Sequence, residues 1–156
     1  MSNYTEKELF NKSYTLGFAK KFQSKSIYLG NFLLVTNNSM IKNEFSDSVI
    51  VEGDFKDVLI KTRDLVYRGY KLISFPLPAS IRMMHSSIRT ILISSELSTV
   101  DENSVKIIDD SIRKYELIIG KRKIDIRNKK DYEIIDYDLT ISAIKEIDLM
   151  KCINKV

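Results

Sequence analysis

From Asp57 to Ser80 the chain reads DVLIKTRDLVYRGYKLISFPLPAS, an amphipathic helix, a glycine stop, a buried strand and a proline-fixed loop in that order. Phe55, Val58, Leu59, Thr62, Leu65 and Val66 recur at helical spacing and give that helix one apolar face. Asp54 precedes it, and a carboxylate there accepts the unpaired amide N–H groups of the first turn. Gly69 stops it, because glycine takes a positive φ without steric cost. Lys71 to Phe75 then reads as a strand, ended by Pro76 and Pro78, which have no N–H to give a ladder. A helix followed by a buried strand is half of a βαβ unit, and such units bind ligands where their strands end.

The flanking sequence extends this alternation. Phe32 to Val35 is a continuous apolar run, as in a strand covered on both faces, and Thr36, Asn37 and Asn38 follow at once. Ser39 to Phe45 reads as a short helical turn, and Ser48 to Val51 as a second strand closed by Glu52, Gly53 and Asp54. Thr90 to Ser94 is a further strand, reached through a polar loop holding Met83, Met84 and the single histidine, His85. Asp101 opens a helix with Val105, Ile108, Ile112, Tyr115 and Ile119 on its inner face, and Gly120 closes it. A last helix is expected from about Tyr137 to Ile153, with Leu139, Ala143, Ile144, Ile147 and Met150 inward and Asp136 and Asp138 at its positive N-terminal end. The expected fold is α/β: a single three-layer domain, a mainly parallel sheet of about four to five strands, and helices on both faces. Lys123 to Arg127 is the candidate fifth strand.

Residues 1–30 read as an amphipathic helical extension, and residues 31–156 as the α/β domain. Phe10, Tyr14, Phe18 and Phe22 form an aromatic stripe over residues 4–25, with Lys12, Lys20, Lys21 and Lys25 around it. The first expectation is packing on the domain's own core, the second a homodimer through that stripe, the third a membrane surface. One cysteine, Cys152, leaves no internal disulfide, which suits a reducing cytoplasm. No run reaches the roughly 20 apolar residues of a membrane span. The N-terminus, MSNYTEKELF, has no apolar signal region. Cytoplasmic location is the expectation.

Four strand ends gather on one edge of such a sheet: Thr36-Asn37-Asn38, Gly53-Asp54, Pro76 to Ser80, and Ser94-Ser95-Glu96. The candidate ligand- or partner-binding residues there are Asn37, Asn38, Pro76, Ser80 and Arg82, with Arg82 and Arg89 supplying positive charge for an anion. The competing reading makes the asparagines turn chemistry and the prolines loop stiffeners. The phrase IIDYDLT matches the DxDxT letters of haloacid-dehalogenase-like phosphatases, but only 16 residues follow Thr140, so a nucleophilic Asp136 would lack its partners. No zinc spacing, GxGxxG, Walker sequence or GxSxG elbow occurs, and no catalytic residue, metal or cofactor is expected. The segment from Lys121 to Lys130 is basic, but a solvated surface explains it better than a phosphate backbone, since no aromatic stacks among its charges.

LLVTNNSMIKN at 33–43, VLIKTRDLVYRGYKLISFPLPAS at 58–80, TILIS at 90–94 and DENSVKIIDDSI at 101–112 together resemble the GrdX-like family over roughly residues 32–119. These are small proteins encoded beside the glycine, sarcosine and betaine reductase genes of amino-acid-fermenting anaerobes. The family pattern reads approximately HxGHKLLTHPLSGS in the second block. Tyr67, Tyr70 and Phe75 stand where it has histidine, and Ala79-Ser80 where it has GS. The resemblance implies a divergent member with an accessory role near amino-acid reductases in a fermenting anaerobe, and the strand-end residues add the expectation of a non-catalytic protein that binds a small anionic ligand or a protein partner. An enzyme acting on a small anionic metabolite at the strand-end cleft is the alternative, and weak nucleic-acid binding through residues 121–130 a further one.

Overall fold

Every layer of the molecule is built on one five-residue strand, β1 (Phe32–Thr36). The computed structural model describes residues 31–120 and 122–153, so the expected extension over residues 1–30 lies outside the described residues. β1 pairs in parallel with β2 (Ser48–Ile50) and antiparallel with β3 (Thr90–Ser94), giving the order β2-β1-β3. The pleat sends Phe32 and Leu34 to one face with Leu92, and Leu33 and Val35 to the other with Ile91 and Ile93.

Helices cover both faces. The intervening elements are α1 (Ser39–Glu44), α2 (Phe55–Val66), a 3-10 turn (Ile81–His85), α3 (Glu102–Ile119) and α4 (Lys129–Ile153). α2 and α3 bring Phe55, Val58, Leu59, Val66, Ile108 and Tyr115 against Val35, Ile91 and Ile93. α1 and α4 bring Ile41 and Ile144 against Phe32, Leu34 and Leu92. Fully burying a side chain of this size stabilises the fold by about 1.5–3 kcal/mol. α2 starts at a capping box: Asp54 accepts the Lys56 and Asp57 N–H groups, and the Asp57 carboxylate takes the Asp54 N–H at 2.8 Å.

The sheet is smaller and more mixed than expected. Residues 71–74 do lie beside β3, but they form a single antiparallel bridge, Leu72 to Ile93. The Ser74 hydroxyl takes the Leu92 N–H at 2.9 Å, a place the ladder would give to a carbonyl, and Pro76 follows. Residues 71–74 therefore run parallel to β1, as the crossover through α2 demands, and β3 runs against both of them. The loop over residues 75–89 turns the chain around before it enters the sheet. Lys123 to Arg127 does not form a fifth strand. Asp125 bridges Ser86 alone, and its carboxylate takes the Arg127 N–H and the Asn128 side-chain amide, turning the chain into α4.

α4 begins eight residues before the expected Tyr137. Asp136 is thus more than a turn inside the helix, and its burial owes nothing to a helix end. The inward stripe is Asp136, Tyr137, Thr140, Ile144 and Ile147, while Leu139 and Met150, expected inward, are 49% and 57% exposed. Ile135 joins these two on the outer side, while Ile144 and Ile147 are inward as expected, so the helix carries two apolar stripes and periodicity alone mixes them.

α2 ends in a Schellman-type pair, with the Gly69 N–H on the Val66 carbonyl at 3.0 Å and the Tyr70 N–H on the Leu65 carbonyl at 3.2 Å. Gly69 has φ 109°, and a Cβ there would meet the Ser98 carbonyl oxygen at 2.2 Å. Gly69→Ala is expected to cost at least about 2 kcal/mol in chemical denaturation, from backbone strain and the lost Ser98 contact. An unchanged midpoint would remove this account of the turn.

Candidate functional site

At the carboxyl end of β1 the polar groups are consumed by one another. Thr90 donates its N–H to Asp136 Oδ1 at 2.9 Å and its hydroxyl to Oδ2 at 2.6 Å. The Thr90 proton being spent there, Thr36 donates its own hydroxyl to Thr90 at 2.6 Å. Thr36 accepts in turn from the Asn38 N–H at 2.9 Å. The Asn38 amide donates to Asp136 Oδ2 and to the Glu133 carbonyl, each at 2.9 Å, and accepts the Met40 N–H, capping α1. Thr36, Asn38, Thr90 and Asp136 are all buried. A buried carboxylate is tolerated only when donors replace its lost water, and three donors do so here.

Asn37 works on the other side of the strand. Its amide nitrogen donates to the Gly53 and Ser87 carbonyls at 3.0 and 2.7 Å, and its oxygen accepts the Arg89 N–H at 2.9 Å. Arg89 donates to the Pro76 and Phe75 carbonyls at 2.8 and 2.7 Å and lies 5.9 Å from the centre of the Phe55 ring. Burial pushes its guanidinium pKa down, and the charge of Asp136 opposes that shift. Of the five residues expected at this edge, Asn37, Asn38 and Pro76 are drawn into the network around Arg89 and Asp136. Ser80 and Arg82 sit exposed at the 3-10 turn, outside it. The sequence reading missed Thr90 and Asp136 as members. The signal that would have found them is the helical spacing Asp136, Thr140, Ile144, which shares a face.

One layer away, between the start of α2 and the end of α3, lies a cavity of about 380 Å³. Asp54, Lys56, Tyr115, Glu116, Ile119 and Arg122 are among its lining residues. The Tyr115 ring packs tilted on Phe55 at 4.7 Å between centroids. Its hydroxyl is buried without a hydrogen-bond partner among the described residues, a condition it shares with the Ser87 hydroxyl. Lys56 and Glu116 form a 2.8 Å ion pair. Burial pushes the Tyr115 hydroxyl up to about 12, with Asp54 and Asp57 adding to the shift, so at neutral pH it is a hydrogen-bond donor and no base. Among the described residues no group of three or more His, Cys, Asp or Glu is placed to hold a metal, and no helix is long and apolar enough to cross a membrane.

The GrdX-like protein family profile matches residues 33–145. The chain belongs to the GrdX-like family. Neither a curated protein nor a solved structure matches it. The matched span reaches past residue 119 into α4, so this GrdX-like protein carries the whole Asn38–Thr90–Asp136 network and the cavity within its family region. Tyr67, Tyr70 and Phe75 are apart from the cavity lining. Tyr67, at the far end of α2 from Asp54, donates to Asp109 at 2.8 Å, Tyr70 packs on the α2–α3 core, and Phe75 is 72% exposed.

Asn38→Ala removes the α1 cap and one donor from a buried carboxylate, and is expected to destabilise by about 2–4 kcal/mol. Asn38→Asp keeps the cap but sets a second carboxylate against Asp136, and a larger loss is expected in the same denaturation series; a loss near zero for Asn38→Asp would mean that only the cap matters. The pH dependence of Tyr115 has a definite sign. A folded-state pKa raised above the ordinary tyrosine value stabilises fully below pH about 10, and the contribution is lost as pH rises toward 12. Tyr115→Phe should therefore flatten the alkaline fall in stability between those values, measured by thermal melts across the range.

Proposed function

We propose that this GrdX-like protein is a non-catalytic accessory protein of amino-acid reductase metabolism that holds a small ligand in the cavity between α2 and α3. The observation that carries the reading is the cavity itself, about 380 Å³ and lined by Asp54, Lys56, Tyr115, Glu116 and Arg122, with charged groups of both signs. Support for a binding rather than a chemical role comes from the strand ends. Asp136, Asn37 and Asn38 spend their polar atoms on holding elements together, and Tyr115 keeps its proton at neutral pH. A volume of this size falls within the range of small-molecule pockets.

A partner-protein contact is the second reading, favoured by Phe75 and Ile81, which are 72% and 67% exposed beside Pro76, Ser80 and Arg82.

Native mass spectrometry of gently purified protein, with a Lys56→Ala and Glu116→Ala double variant in parallel, tests the first reading. The expected result is extra mass on the folded wild type and none on the variant, whose melting point stays near the wild-type value because both side chains are half exposed. Bare wild type would overturn it.

A further inference from the structure

We infer that residues 10–25 of this chain dock as a helix on the outer face of α4, laying the stripe of Phe10, Tyr14, Phe18 and Phe22 on Ile135, Leu139, Leu149 and Met150. Residues 10–25 lie outside the described residues, and the inference is independent of the cavity. At 3.6 residues per turn, Ile135, Leu139, Leu149 and Met150 share one strip of α4 about 100° wide. All four are exposed, on the side of the helix away from Asp136, Thr140 and Ile144. A contiguous apolar strip on a helix that is already packed through its other side marks an interaction surface.

Place, length and charge choose the occupant. Asp136 sits at the Thr36 end of β1, and Ile144 and Ile147, two to three turns further along α4, join the cluster that holds Phe32. α4 therefore runs back along β1, and Leu149 and Met150 lie toward the end where Asn31 leads the chain into the sheet. Residues 26–30 reach at most about 20 Å, which sets the end of the segment beside Leu149 and Met150 and its start beside Ile135. As a helix, Phe10 to Phe22 is about 18 Å long, and Ile135 to Met150 about 22 Å, so the two stripes match. Residues 10–25 carry Lys12, Lys20, Lys21 and Lys25 and no carboxylate. The exposed strip of α4 is bordered by Asp131, Asp138 and Glu146 against one lysine, Lys145. Opposite charges thus flank the two apolar stripes. A helix this short, with Gly17 inside it, is marginal in water, so the segment needs a surface to form on. The short tether gives its own α4 an advantage over a second copy, because it holds the segment at a high effective concentration.

The test is amide hydrogen exchange, read by mass spectrometry on the full chain beside a synthetic peptide of residues 10–25. The expected result is exchange in residues 10–25 at least about tenfold slower than in the peptide, unchanged on dilution and in a chain that sediments as a monomer. Leu139→Lys should return residues 10–25 to the peptide's rate, since it removes a central leucine contact. The double variant Asp138→Lys and Glu146→Lys should speed their exchange at least about threefold, the size of effect that exposed ion pairs give. In both variants β1 and β3 keep their protection, because the replaced side chains are exposed and outside the core. Peptide-like exchange in the wild type overturns the inference, and so does protection that survives both variants, which would put the stripe on another surface. Protection that falls on dilution of a dimer overturns it in favour of a second copy. Protection that appears only with anionic vesicles overturns it in favour of a membrane surface.

Discussion

The carboxylate of Asp136 is the join on which the molecule depends. It is buried, and the donors that make its burial tolerable come from β3 and from the β1–α1 junction. α4 has only a modest apolar grip on the sheet through Tyr137, Ile141, Ile144 and Ile147, and it carries a second apolar stripe facing away. Hydrophobicity therefore does not decide which side of α4 turns inward. The polar anchor does, because a rotation or a one-turn slide would strand a carboxylate in an apolar layer, an error worth more than any single methyl contact.

The same anchor accounts for the separation between the framework and the open space. Strand ends in open α/β sheets are where ligands usually sit. Here the tips of β1 and β3 are occupied by their own side chains, with Asn37 tying β1 to Gly53, Ser87 and Arg89. The free volume lies beyond them, against α2 and α3, where charged side chains of both signs line it. The fold is thus closed and satisfied at the strand tips and open on the helical side.

Much of this was legible in the sequence, and the failures have physical causes. Asp54 with its apolar periodicity announced α2, Gly69 its end, and Val105 to Ile119 the buried face of α3, because one-sided burial leaves a period. The direction of β3 leaves none. A strand reads the same in either direction, and only the path of residues 75–89 reverses it. Periodicity does not fix the phase of α4, since it marks the inward Ile144 and Ile147 together with the exposed Leu139 and Met150, while the inward Asp136 and Thr140 look like surface residues until their partners are known. Tyr115 was read correctly as core through its ring. Its hydroxyl is a tertiary fact, defined by what fails to reach it.

The placement of β3 sets the order in which the chain can assemble. β1 and residues 71–74 run the same way but are not neighbours, and the slot between them is filled by residues made later. Thr36 meets Thr90 across a loop of more than fifty residues, so the sheet cannot zip up in chain order. Long-range pairing of this kind slows folding, since the loop's entropy must be lost before any contact repays it. During synthesis the half-sheet of β1 and β2 waits with an open edge. Once β3 enters, one face has only α1 on it until α4 arrives with Asp136. The apolar surface of the growing chain is therefore covered in two late steps, the pairing of β3 and the docking of α4.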